Sequence, residues 1–147
     1  MTDKNTAKRG YDFAALDTVK KSTEGVYFPF LNLEGEELDA GAVMFGPDSP
    51  AYKRAHSEAK ANFVKANSKK SKSDEFEDLE DDEKLEKVIA CCARLENCFI
   101  GEKEYASDRA DIREFFTSLP TMRDQMWARI TKRSNFLPNA DKAGSST

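Results

Sequence analysis

Apolar residues recur along this chain in two rhythms, and the first is a rhythm of two. Val26, Phe28 and Phe30 point one way and Tyr27 the other, the alternation of a half-buried strand, and Pro29 places that strand at a sheet edge. Asn32, Gly35 and Glu36 read as a turn. Leu38, Ala42 and Met44, with Val43 and Phe45, form a second short strand, so 26–45 is expected to be a β-hairpin or small antiparallel sheet ending at Gly46 and Pro47. Asp48-Ser49-Pro50 then signals a helix start, because a side-chain oxygen can cap free amides and a proline at the first helical position has no amide to satisfy.

The second rhythm is helical. From 49 to 67 the stripe Tyr52, Ala55, Ala59 and Phe63 is rich in alanine, which permits close approach of a neighbouring helix. Leu85, Val88, Ile89, Cys92 and Leu95 follow a three-and-four spacing that predicts a core helix over 74–97. The stretch 99–105 reads as a connector with a glycine turn. Ser107 and Asp108 cap a helix over 107–118 with Ile112, Phe115 and Phe116 inward, and Leu119-Pro120 divides it from a last helix over 119–136. Residues 1–24 are expected to be a flexible N-terminal segment and 137–147 a disordered tail, around one domain, 25–136. The fold class expected is mainly α: a small helical domain of about four helices with an N-terminal β-hairpin and flexible termini.

Along the last helix Met122, Met126 and Ile130 recur every four residues, with Leu119 and Trp127 beside them. One reading packs this stripe into the protein's own core. The other makes Met122, Met126, Trp127 and Ile130 a protein-binding surface, since the unbranched, polarizable methionine thioether adapts to irregular partners.

Charge narrows the choice of partner. Charged residues make up 34% of the chain, yet the formal net charge is only −4. Lys53, Arg54, Lys60, Lys65 and Lys69 are interrupted by Glu58 and followed by an acidic run over 74–83, which would repel nucleic acid. That acidic run lacks the alternating oxygen ligands and central glycine of a calcium loop. No apolar run approaches the roughly twenty residues needed to cross a bilayer, and 1–11 lacks the apolar stretch of a signal peptide. No nucleic-acid or membrane partner is expected, and the cytosol is the expected compartment.

Candidate chemistry is sparse. Cys91, Cys92 and Cys98 fall in one predicted helix, and an odd number suits free thiols. With His56 they do not match the paired spacings of a zinc site. His56 as a base for a cysteine nucleophile would need a meeting that the sequence does not display; it reads better as a partly buried histidine with a hydrogen-bond partner. Neither a phosphate-cradling glycine loop nor a serine nucleophile elbow is present. The expectation is no cofactor, no metal and no enzymatic activity, and a module that associates through an apolar groove or an exposed strand.

Three pieces carry a resemblance: the hairpin leading into Phe45-Gly46-Pro47-Asp48-Ser49-Pro50-Ala51-Tyr52, the central helix 87–97, and the closing 119–136 with its Arg133-Ser134-Asn135-Phe136 ending. Their order and spacing resemble the tail assembly chaperones of long-tailed bacteriophages over roughly 26–136. Family members often carry tryptophan near the position of Leu95, whereas the single tryptophan here is Trp127. The resemblance implies a late protein of the host cell cytoplasm, absent from the mature virion, that coats the tape measure protein, keeps it soluble and yields to major tail tube subunits. In some relatives a frameshifted longer product is made; self-association of this chain is a separate expectation, from its apolar stripe. The alternative is a structural or regulatory phage protein, such as a head–tail joining component retained in the virion.

Overall fold

The computed structural model describes residues 10–69 and 73–138, with side chains described outside 62–80. In chain order the elements are a 3-10 turn Phe13–Leu16, α1 (Val19–Glu24), β1 (Val26–Leu31), β2 (Glu37–Met44), α2 (Pro50–Lys69), α3 (Ser73–Cys91), β3 (Cys92–Glu96), β4 (Cys98–Ile100), β5 (Lys103–Tyr105), α4 (Arg109–Ser118), α5 (Pro120–Ile130) and a 3-10 turn Arg133–Phe136. Five α-helices and two small antiparallel sheets among the described residues make an α+β arrangement. The expected mainly α, four-helix domain is corrected accordingly. The expected meeting of basic 65–72 with acidic 74–82, the Phe63 side chain, and the segments 1–9 and 139–147 lie outside the described residues.

The alternation over 26–31 does build a strand. β1 pairs with β2 from Val26 opposite Met44 to Leu31 opposite Glu37, and Val26, Phe28 and Phe30 are buried. Asn32 shapes the turn by accepting the Glu34 and Glu36 amides, each at 2.9 Å, while Gly35 adopts φ +84°. On the opposite face the Tyr27 ring covers Gly41 so closely that a Cβ there would lie 2.6 Å from its Cζ. Only glycine fits under that ring.

The largest correction concerns 74–97. The helix stops at Cys91, and Cys92–Glu96 pairs with the far side of β2, giving the sheet order β1-β2-β3. A bulge explains why the spacing misleads: Met44 faces Cys92 but Val43 faces Arg94, so Ala93 is an extra residue. One extra residue shifts the side-chain alternation, and Cys92 and Leu95 both reach the core although three apart. Arg109 closes the helix end, donating to the carbonyls of Ile89 and Cys92. Asn97, at φ 59°, leads into a hairpin, β4 with β5, whose turn holds Gly101 at φ 64°; the expected glycine turn of 99–105 is present, with its flanks paired as strands. The three cysteines are therefore spread over α3, β3 and β4; all are free and buried.

Helices α3, α4 and α5 lie against the inner face of this sheet, where Phe28, Phe30, Phe115, Phe116 and Phe136 form the aromatic part of the core. The predicted helix 119–136 ends at Ile130; Asn135 Nδ2 bonds the Arg129 carbonyl at 3.1 Å, and 133–136 is a separate 3-10 turn. The N-terminal segment expected to be flexible contains α1 within its described part. Its Ser22 carbonyl accepts the Gly46 amide at 3.0 Å.

Ser22 Oγ is buried without a hydrogen-bond partner among the described residues. Such a group opposes folding. Ser22→Ala should therefore leave stability unchanged or raise it by ~1 kcal/mol, seen as an equal or higher Tm.

Candidate functional site

Three helices build the site, and two of them start at a local capping device. α2 begins where Ser49 Oγ accepts the Tyr52 amide at 3.1 Å and donates to the Gly46 carbonyl at 2.7 Å. α4 begins at Asp108, whose carboxylate accepts the Ala110 and Asp111 amides. Between α2, α3 and the first turns of α4 lies a groove of about 940 Å³. Its floor and walls are Ala55, Ala59, Leu85, Ile89, Ala90 and Ala110.

The rim is charged and uneven. Arg113 forks onto Glu86 at 2.6 and 2.9 Å and holds that carboxyl below the usual range. Glu83 pairs with Lys87 at 3.0 Å. Arg109 spends its donors on backbone carbonyls. Glu58 and Asp82 line the groove and make no ion pair among the described residues.

Next to Glu83 of the groove lining, Lys87 is only 2% exposed. Its ammonium donates to Glu83 and to His56 Nδ1, both at 3.0 Å, and lies 5.5 Å from the centres of the Tyr52 and Trp127 rings. This cage ties α2, α3 and α5 together, and nothing in the spacing of the sequence singled out Lys87.

The four residues proposed from the methionine stripe divide. Met126 and Ile130 have no exposed surface and belong to the core, while Met122 and Trp127 are half-buried against it. A binding surface on this helix is thus limited to Met122 and Trp127. His56 is exposed, stacks on Tyr52 and has no hydrogen bond to a cysteine among the described residues. Burial pushes the Cys91 and Cys92 thiols up to about 12, so neither is a thiolate at neutral pH. Among the described residues no group of three or more His, Cys, Asp or Glu side chains converges on a metal position.

The exposed-strand route is also narrowed. At the β1 edge Pro29 has no amide, and the Gln125 side chain bonds both the amide and the carbonyl of Leu31, at 2.8 and 2.9 Å. On β3 the Leu95 amide donates to Ala106. The Leu31 amide and carbonyl and the Leu95 amide are therefore taken before a visiting strand could pair with them.

Two motifs that carried the resemblance meet in space. Asp48 accepts three hydrogen bonds from the Arg133 guanidinium at 3.0–3.1 Å and one from the Thr18 hydroxyl. The Arg133 bonds, then the Thr18 bond, hold the Asp48 carboxyl below its ordinary value of 3.8. A lowered folded pKa means stability that is fully present above 3.8 and lost as pH falls through the folded value. Asp48→Asn should lower the Tm by about 2–4 °C near neutral pH, and the gap to wild type should close as thermal melts are taken below 3.8.

No family model, curated protein or solved structure matches the chain. No helix among the described residues is long and apolar enough to cross a membrane.

Proposed function

We propose that this protein is a tail assembly chaperone of a long-tailed bacteriophage, which binds the tape measure protein, keeps it soluble and hands it over to tail tube subunits. The reading rests on the ordered motifs around 45–52 and 133–136 and on one structural observation, the groove between α2, α3 and α4. An open groove of about 940 Å³, with alanine, leucine and isoleucine between charged residues, supports docking of the apolar face of a helix.

The role calls for no catalytic step. Displacement by a polymerising partner that binds more tightly supplies release through differential affinity alone. Ala59→Trp, which fills the groove wall, should abolish co-purification with co-expressed tape measure protein while circular dichroism and Tm stay close to wild type. Undiminished recovery by the folded variant overturns the proposal. Mass spectrometry of purified virions should not find the chain; its presence there favours a joining component.

A further inference from the structure

The groove is not electrically neutral towards a visitor. Of its four carboxylates, Glu83 is matched by Lys87 and Glu86 by Arg113. The Arg109 donors face the carbonyls that end α3. Among the described residues, the groove carboxylates without an ion pair are Glu58 on α2 and Asp82 on α3. A carboxylate covered by a partner without a counter-charge loses hydration and gains nothing in return, which penalises neutral and acidic occupants.

Resting on the docking reading above, we propose that the groove takes an amphipathic α-helix of a partner protein whose apolar seam is small to medium in size and is flanked by Lys or Arg facing Glu58 and Asp82. The seam follows from the floor: Ala55, Ala59, Ala90 and Ala110 lack bulk, so a helix axis can approach to ~8–10 Å, with Leu85 and Ile89 as the contact ridges. The flank follows from Glu58 and Asp82, which make no ion pair among the described residues. A second copy of this chain fits less well. Among the described residues its exposed large apolar side chains lie at the 3-10 turn 13–16, on the six-residue α1, and on strands and turns, so none of its longer helices offers an exposed apolar seam.

The test uses the full chain and two fluorescent peptides of ~20 residues, long enough to hold helix, sharing one Ala/Leu seam and flanked by Lys or by Glu. In anisotropy titrations the Lys peptide should bind at least about tenfold more tightly, with added salt narrowing the difference. The double variant Glu58→Lys/Asp82→Lys should reverse the preference. Ala59→Trp and, independently, Ala110→Trp at an exposed position on the opposite wall should remove binding of both peptides.

Equal affinities, an unreversed preference in the folded double variant, or binding that survives Ala110→Trp overturns the inference. So does sedimentation in which the wild type self-associates through the groove and ignores both peptides. If Ala110→Trp loses the tape measure protein but the peptides show no charge preference, this inference alone fails. If the preference holds while tape measure recovery is unaffected, the chaperone reading fails instead.

Discussion

Phe136→Ala is expected to cost about 3–5 kcal/mol of folding stability, the usual range for emptying a fully buried aromatic site. Phe136 has no exposed surface, meets the Phe28 ring edge-on at 5.7 Å, and presses against Gly46 so closely that a Cβ there would lie 2.7 Å from its Cγ. It joins the last turn of the domain to the first strand and to the hinge before α2. Urea unfolding followed by circular dichroism would show the midpoint falling with little change in slope. Phe136→Leu should recover more than half of the loss. A change below about 1 kcal/mol in Phe136→Ala would mean that the closing segment is not part of the cooperative core.

The second large effect is expected at Lys87. Its aliphatic stem is as buried as any core side chain, and its ammonium is held by Glu83, His56 and two aromatic rings. Lys87→Ala removes about three methylenes of buried stem at ~0.8 kcal/mol each and adds a cavity between α2, α3 and α5, for a loss of about 3 kcal/mol. Lys87→Met keeps most of the volume and no charge. Glu83 is 37% exposed at its side chain and can be hydrated when left alone. Lys87→Met should therefore sit within about 1 kcal/mol of wild type in the same unfolding measurement. Equal losses in the two variants would assign the effect to the charge instead of the stem.

Where local signals agreed, the sequence was readable. The β1–β2 hairpin follows from alternation ending in Asn32 and Gly35, and the starts of α2 and α4 follow from Ser49-Pro50 and Asp108, whose capping bonds are formed. β3 was hidden because its bulge restores the three-residue spacing of a helix between Cys92 and Leu95. The end of α5 at Ile130 was hidden because the apolar positions continue to Phe136, which reaches the core from a different backbone geometry.

The site was less legible than the fold. The alanines of α2 were visible as a surface for a neighbouring helix, but the groove also takes Leu85, Ile89 and Ala90 from α3 and Ala110 from α4. No periodicity links residues brought together only by tertiary packing. A buried lysine leaves no mark in a hydropathy pattern, so Lys87 looked like any solvated cation. Conversely, the methionine stripe was conspicuous, and its Met126 and Ile130 belong to the interior.

The side-chain amide of Gln125, clipped onto both main-chain groups of Leu31, has a bearing on how this molecule behaves in a crowd. Fibrils and runaway ladders spread by main-chain zippering, which is indifferent to sequence and slow to undo. With that rung already taken from within, such zippering cannot begin at Leu31.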